Sequence, residues 1–352
     1  MNHPYLSFLF NFSSSYSGGG LKRLLAYSSW FNEHGGAAFI VNDRLYGIER
    51  QFSINKYFYL RRSRISLAIN YSRQLNNIIA TVGGIDLYYS YGIPLPYKAG
   101  RVNWFHLSNV LPLTKEEVPL PLKRHLEMRL LGFQVNSCLK HADVISAESN
   151  TSIELFESIF SQKLFISVNG SDDEIDFYEN GIEYSVNRDA EDFAVAVGTY
   201  YYKCIDDVYK VYSHLLKSNP SLRLIIIGDR EYIPPYILKD SRVVTKGVLS
   251  QPEVCELIRR SRYYITSTVI ENSYNAASEG AFLASESFIS DIGPHREMLK
   301  GVNVERLDNL GTRVAVLHIK SADLHPKNLK SWDQVIGEMI NLVHTKLAYL
   351  NY

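Results

Sequence analysis

Three cysteines, Cys138, Cys204 and Cys255, stand far apart in 352 residues, and no C-x-x-C pair occurs. Their scarcity argues against a disulfide framework or a thiolate zinc cluster and predicts reduced thiols, hence a cytoplasmic location. No apolar run reaches about 18 residues, so no membrane-spanning helix is expected. The opening segment, Met1 to Phe10, lacks a basic stretch and a small-residue cleavage site, which predicts no signal peptide. Excess charge is also missing: 37 Lys and Arg face 37 Asp and Glu. Without a global basic field, general binding of nucleic acid is not expected. The patterns G-x-x-x-x-G-K-[ST], G-x-S-x-G and H-E-x-x-H are absent, which removes support for phosphate-loop hydrolases, serine hydrolases and zinc peptidases. No His, Cys or carboxylate pair has metal-ligand spacing, so neither a metal nor a cofactor is expected.

What is present fits a globular protein. Apolar residues make up 46% and charged residues 21%. At roughly 150 residues per domain the length suggests about two domains. Tyrosine is abundant at 25 residues, a ring with a polar tip that suits partly wet clefts, although composition alone assigns no function. The chain begins with an apolar run, Leu6 to Phe12, then the serines and the triplet Gly18-Gly19-Gly20. Leu21, Leu24, Leu25, Ser28 and Phe31 follow at helical spacing, His34-Gly35-Gly36 reads as a C-cap, and Ala37–Val41 as the next strand. Such a unit starts a parallel α/β sheet. Further strands are expected at Leu87–Tyr91, Val102–Phe105, Val144–Ala147 and Leu164–Val168, with a long helix over Leu122 to Lys140.

Residues 171–192 are acidic and turn-rich, as a domain junction should be. Beyond them strands and helices alternate cleanly. Strands are expected at Phe193–Val197, Leu222–Ile227, Val243–Val248, Tyr263–Ser267 and Ser287–Ser290. Helices are expected at Ile205–Leu216, Glu253–Arg262, Asn275–Leu283 and Arg296–Lys300, and a last one runs from Trp332 to Leu350, capped by Ser331. Continuous apolar strands between helices indicate a parallel sheet covered on both faces. The reading is therefore α/β with two doubly wound, Rossmann-like domains: 1–175, joined by the helix 332–352, and 190–330. Two such domains are expected to face each other across a cleft, with ligands outside the carboxyl ends of the strands.

The residues just after strands are thus the candidates. Gly18-Gly19-Gly20 lets a diphosphate approach backbone amides at a helix N-terminus, though a flexible turn reads equally well. Glu271 and Glu279 give the sharpest signal. Eight positions at the helical rise would set them about 12 Å apart, comparable to the span from hexose to ribose in a nucleotide sugar. Each carboxylate could accept from a hydroxyl pair, with the amides around Asn275 and Ala276 at the diphosphate between them. Two solvated helix-face glutamates are the alternative. Lys203 offers a point charge to phosphate oxygens or a leaving diphosphate. His106 could hydrogen-bond a sugar, or be a structural histidine satisfied by a loop. His295 reads as part of a turn and helix start. The clusters Arg61-Arg62-Ser63-Arg64 and Lys123-Arg124 with Arg129 could meet anionic lipid, against the plainer reading of solvated surface.

Together these residues resemble the retaining GT-B glycosyltransferases often called group 1, most specifically over residues 193–300. The resemblance rests on Glu271-x7-Glu279, on Val197-Gly198 with Lys203, on Leu224-Ile-Ile-Ile-Gly228, and on Lys246-Gly-Val-Leu and Ile289-Ser-Asp-Ile-Gly-Pro-His295. In the first half Gly18-Gly19-Gly20 and Val168-Asn-Gly170 carry it. It implies Glu271 on hexose hydroxyls, Glu279 on ribose hydroxyls and Lys203 on the diphosphate. Ser273 and Tyr274 would border the sugar, the amides of Asn275 and Ala276 would meet phosphate, and Val248 would touch the base. Gly228 belongs to the same donor site, and His106 would reach the sugar. The group uses no catalytic metal. The implied activity is hexosyl or hexosaminyl transfer from a nucleotide-diphosphate sugar to a carbohydrate or lipid-linked oligosaccharide. The implied setting is surface polysaccharide assembly of the O-antigen or capsule kind.

Two positions depart from the group's pattern. Thr199 stands where the group has arginine, and Lys203 comes one residue early, so Lys22 or Arg23 is considered as the missing phosphate cation. Asn272-Ser-Tyr-Asn275 replaces a small, glycine-containing stretch, and Tyr274 would narrow the sugar pocket. The competing readings are a nucleotide-sugar epimerase or phosphorylase on the same fold, and a non-catalytic member that binds a glycan or a partner.

Overall fold

A computed structural model describes residues 7–60, 71–115, 118, 120–156, 163–171, 190–324 and 329–350. The basic cluster at Arg61, Arg62 and Arg64 and most of the junction lie outside the described residues. The chain divides into two compact units. Unit 1 comprises Met1–Thr114, Leu126–Gly170 and Lys330–Tyr352, and unit 2 comprises Lys115–His125 and Ser171–Leu329.

Unit 1 contains β1 (Phe8–Asn11), α1 (Gly18–Glu33), β2 (Ala38–Asn42), β3 (Lys56–Leu60), α2 (Tyr71–Val82), β4 (Leu87–Tyr91) and β5 (Val102–His106). There follow α3 (Leu122–Cys138), whose first four residues fall in unit 2, β6 (Val144–Ala147), the short α4 (Asn150–Ile153) and β7 (Leu164–Ile166). Its sheet is wholly parallel in the order β3-β2-β1-β4-β5-β6-β7. The strand order reverses between β1 and β4, the switch point of a doubly wound sheet. The inner strands β1, β2, β4, β5 and β6 are buried at every residue because helices cover both faces, which is why they read as apolar runs. Edge strand β3 is half-exposed, and neither it nor α2 was expected from the sequence.

Several of the tyrosines are core residues rather than linings of a wet cleft. Tyr27, Tyr88, Tyr89, Tyr212 and Tyr264 are fully buried. Phe10 lies 4.9 Å from Phe31, 5.2 Å from Phe39 and 5.7 Å from Tyr89 between ring centroids. A buried phenol needs a partner for its hydroxyl. Tyr88 Oη accepts from Asn11 Nδ2 at 2.8 Å, and Tyr212 Oη donates to the Leu222 carbonyl at 2.7 Å.

Unit 2 contains β8 (Glu191–Val197), α5 (Ile205–Leu215), β9 (Arg223–Ile227), β10 (Val243–Thr245), α6 (Gln251–Arg260), β11 (Ser261–Thr266) and α7 (Asn275–Leu283). Then come β12 (Glu286–Ser290), α8 (Gly293–Met298), β13 (Glu305–Leu307) and β14 (Val316–Lys320). The order is β10-β9-β8-β11-β12-β14-β13, parallel through β12, with β14 and β13 added antiparallel. That two-strand edge was not expected. Helix α6 starts two residues before the sequence-based boundary because Ser250 and Glu253 form a capping box: the Ser250 N–H donates to Glu253 Oε2 at 2.8 Å.

The last helix, α9 (Trp332–Tyr349), belongs to unit 1, as the GT-B reading requires. Ser331 caps it, accepting from the Gln334 N–H at 3.3 Å while its own N–H donates to Gln334 Oε1 at 3.0 Å. Ile336, Met339, Val343 and Leu347 recur at helical spacing and complete the core around Phe10, Phe12 and Trp104. Replacing Ile336 with alanine should cost about 2–5 kcal/mol by leaving a cavity that relaxes only in part. Urea unfolding followed by the unit 1 aromatic signal measures this; an unchanged midpoint would show that α9 contributes little to that core.

Candidate functional site

In unit 2 the candidate residues gather where β8, β9 and β11 end. After β8 the backbone turns at Gly198 (φ +86°), and the Lys203 side chain folds back over it: a Cβ on Gly198 would meet Lys203 Cε at 3.3 Å. Gly228, ending β9 at φ +144°, is approached as closely, since a Cβ there would lie 2.8 Å from Thr199 Oγ1. Its N–H donates to the Gly247 carbonyl at 2.8 Å, tying the end of β9 to the loop after β10. Thr199 is buried in this turn.

Residues 201–203 form one 3₁₀ turn, and Cys204 leaves it in the left-handed region (φ 46°) to start α5. The turn is stitched to the segment after β11. The Tyr202 carbonyl accepts from the Val269 N–H at 2.9 Å and from Thr268 Oγ1 at 3.1 Å. That brings Lys203 to Glu271, and Nζ lies 2.5 Å from Oε1. Both side chains keep some exposure, 12% for Lys203 and 20% for Glu271. A partly exposed ion pair is weakly held and can exchange partners.

Glu271 precedes α7, so the helical rise applies only from Asn275 to Glu279, and the 12 Å helical estimate does not hold. Glu279 is buried and accepts from Gln251 Nε2 at 2.9 Å. The charges of Glu279 and Glu271 both reach Tyr264, whose hydroxyl is pushed up first by burial and then by these two carboxylates. Tyr274 is the N-cap of α7, and Ser273 Oγ accepts from the Asn275 N–H at 3.3 Å. The first ladder bond runs from the Ser278 N–H to the Tyr274 carbonyl, so the amides of Ala276 and Ala277 lie ahead of the ladder. Ser273 and Tyr274 are buried, whereas Val248 is 86% exposed.

His295 sits on α8, buried, with Nδ1–H donating to the Ser290 carbonyl at 2.7 Å. Burial, chiefly, pulls its pKa down to about 4, against the Ser290 bond, and the positive charge of Lys203 adds to the fall. It is therefore neutral at pH 7. The sequence reading placed His295 at a turn and helix start without linking it to Lys203. Gln251 went unread because a glutamine in the first turn of a helix carries no charge signature.

In unit 1, Gly18, Gly19 and Gly20 form the first turn of α1, and Gly20 presses on Ser15 and Tyr91. Arg23, one turn later, is wholly buried. It donates to Asn169 Oδ1 at 3.0 Å, Ser167 Oγ at 3.0 Å, Tyr89 Oη at 3.3 Å and the carbonyls of Ser167 and Val168, each at 2.8 Å. Arg23 is thus committed to the loop after β7, which corrects its reading as a phosphate cation.

His106, at the end of β5, is fully buried, and neither ring nitrogen is left for a sugar. Trp104 Nε1–H donates to Ser146 Oγ at 2.6 Å, so the serine hydrogen turns to His106 Nδ1 at 2.7 Å. The ring proton then sits on Nε2, facing Glu148 Oε1 at 3.3 Å. Tyr91 Oη donates to the same oxygen at 2.9 Å. This supports the structural alternative for His106. Burial pulls its pKa down to about 4, helped by Arg23 and opposed by Glu148. Glu148 feels burial as its largest influence, an upward one. The His106 hydrogen bond and the Arg23 charge outweigh it and hold the carboxyl below the usual range. Glu148 follows β6 directly, so the strand-end rule would have found it.

Among the described residues no group of three or more His, Cys, Asp or Glu is placed to hold a metal ion, and no helix is long and apolar enough to cross a membrane.

The two histidines give a pH dependence. Each is neutral when folded and takes up a proton near pH 6.5 when unfolded, so stability falls as pH drops from about 6.5 toward 4. The slope is about 1.4 kcal/mol per pH unit per histidine inside that window. Urea titrations across the window measure it, and His106→Gln should remove the unit 1 share; a flat profile in the wild type would refute the assignment.

At the level of sequence, no protein-family model and no curated protein matches the chain. Solved structures do. Sucrose-phosphate synthase from Thermosynechococcus elongatus aligns with TM-score 0.66 at 10% identity, covering 98% of this chain and 100% of that one. HepE from Anabaena, in complex with UDP and glucose, gives TM-score 0.60 at 14% identity over 85% of this chain and 84% of that one. A UDP-forming α,α-trehalose-phosphate synthase from Burkholderia vietnamiensis gives 0.57 at 11% identity over 84% and 87%. At such identities the likeness speaks for the fold, and that fold is GT-B: two α/β units, one with a parallel sheet and one with a mixed sheet.

Proposed function

We propose that this protein is a retaining, metal-independent glycosyltransferase that moves a hexosyl group from a nucleotide-diphosphate sugar to a carbohydrate hydroxyl. The observation that carries the reading is the Lys203–Glu271 pair, set at the carboxyl ends of the unit 2 strands in the segment that leads into α7. It is supported by the GT-B fold and by structural neighbours whose complexes hold UDP, glucose and UDP-glucose. Glu279 and the amides of Ala276 and Ala277 lie on the same helix.

In this reading the diphosphate draws Lys203 away from Glu271, and the freed carboxylate accepts from hexose hydroxyls. Glu279, released by Gln251, accepts from the ribose. The bond between the anomeric carbon and the diphosphate oxygen breaks, and its electron pair stays on that oxygen. The Lys203 ammonium and the leading amides of α7 stabilise the charge that develops there. The acceptor oxygen bonds to the anomeric carbon on the same face, and its proton passes to the departing phosphate oxygen. Thr199 offers no charge and Arg23 is committed elsewhere, and Lys203 is the cation that unit 2 brings to this step.

Lys203→Ala should therefore lower turnover about 10²–10³-fold while raising the donor Kd far less. Steady-state kinetics set beside calorimetry of donor binding separate the two, and equal losses in both would contradict the assigned role. A thermal-shift panel of UDP-, GDP-, dTDP- and ADP-sugars should single out one nucleotide. At a hundredfold excess over Kd, the stabilisation is about 2.7 kcal/mol. If no member of the panel raises the midpoint, the reading falls; epimerised sugar or phosphate-dependent cleavage without acceptor would replace it with the other enzyme class.

A further inference from the structure

Cys204 stands in a place that suits glycine. Among the described residues it is the one non-glycine with positive φ, at φ 46° and ψ 61°. A side chain with a Cβ disfavours this left-handed backbone, so something outside Cys204 must impose it.

Both flanks of the residue are fixed. On the N-terminal side the turn 201–203 is tied through the Tyr202 carbonyl to Thr268 and Val269. The Lys203 N–H donates back to the Tyr200 carbonyl at 2.8 Å and closes that turn. On the C-terminal side the Cys204 carbonyl accepts from the N–H groups of Asp207 at 2.8 Å and Val208 at 3.2 Å, the first bonds of α5. Asp207 then bolts this first turn to the loop between β13 and β14. Its side chain is 1% exposed, and both carboxylate oxygens are taken. Oδ2 accepts from the Arg313 N–H at 2.9 Å and from Arg313 Nη1 at 3.0 Å, and Oδ1 accepts from Lys210 Nζ at 2.7 Å. Lys210 Nζ also donates to the Gly311 carbonyl at 2.6 Å, so the same loop is held twice.

Cys204 is the single residue between these two anchored pieces, and it takes up the turn they demand. If the α5 end were released, Cys204 could relax to ordinary backbone. Lys203, directly before it, would then turn away from Gly198 and Glu271.

We infer that Asp207, clamped by Arg313 and Lys210, is a positioning residue for Lys203, acting through the left-handed turn at Cys204. The inference rests on the transferase reading of the site, in which Lys203 must meet a leaving diphosphate. The oxygens of Asp207 are spent on Arg313 and Lys210, so its effect reaches the chemistry through the backbone.

The test is a cycle of Asp207→Asn with Cys204→Gly. Asp207→Asn keeps the side-chain shape and loses the charge that draws in Arg313 and Lys210. It should lower turnover about tenfold with a much smaller change in donor Kd. Glycine adopts the left-handed turn unaided, so in the Cys204→Gly background the same substitution should cost less than about threefold. A bolt that only stabilised the fold would cost the same in both backgrounds; that result, or full turnover in Asp207→Asn, overturns the inference. Should Asp207→Asn not fold, Arg313→Gln, which keeps the backbone N–H bond, takes its place in the cycle with the same outcomes. Hydrogen exchange over residues 199–206 reads the turn without substrate. Asp207→Asn should speed it at least about threefold, and less so beside Cys204→Gly; unchanged exchange overturns the inference. If the wild type binds no donor, the transferase reading fails, while this exchange pattern still decides whether Asp207 holds the Lys203 turn.

Discussion

One peptide carbonyl organises the candidate site. The oxygen of Tyr202 accepts from both the Val269 amide and the Thr268 hydroxyl, so the turn after β8 and the segment after β11 are held as one piece. Lys203 and Glu271 are 68 residues apart in sequence, yet they meet because this oxygen joins their two backbones. The flanking residues make the same join possible. Gly198 leaves room for the lysine stem, and the left-handed Cys204 turns the chain into α5 before the turn can lengthen. A backbone junction of this kind fixes geometry more firmly than the ion pair it supports, since surface-accessible pairs contribute little energy of their own.

Unit 1 has a different anchor. Arg23 carries a permanent charge into a site without water access, which is tolerable only because its donors are met by carbonyls, hydroxyls and Asn169. Glu148 supplies the balancing negative charge, 3.9 Å from Arg23 Nε, and is itself held by Tyr91 and His106. The cluster links the ends of β4, β5, β6 and β7 to the first turns of α1. Removing one member would leave another buried and unsatisfied, so the group behaves as a unit.

Much of this architecture was legible in the sequence, for identifiable reasons. Leu222–Ile227 and Val144–Ala147 read as buried strands because both faces of a parallel sheet are covered. The bounds of α7 were legible from Asn275 to Leu283, and α9 from its Ser331 cap. What stayed hidden depended on partners distant in sequence. The strands β13 and β14 are short, and they take their place by antiparallel pairing, β14 to β12 and β13 to β14. Glu271 was read at helical rise from Glu279, but the chain between β11 and α7 is irregular. Arg23 reads, beside Lys22, as a candidate phosphate cation, because nothing in Lys22-Arg23-Leu24 announces that Ser167, Val168 and Asn169 will surround its guanidinium. Periodicity reports how much of a segment is covered; it does not report by what.

The first residue of α9 lies against the loop that ends the first half of unit 1. A Cβ on Gly170 would meet the Trp332 ring at 2.5 Å, and Trp332 also stacks over Arg23 at 5.6 Å. The cover over Phe12, Tyr27 and Trp104 is thus encoded after the whole of unit 2. During synthesis the ribosome completes unit 2 while that aromatic face still waits for its lid, so unit 1 must remain open, or be shielded by a chaperone, until Leu347 emerges.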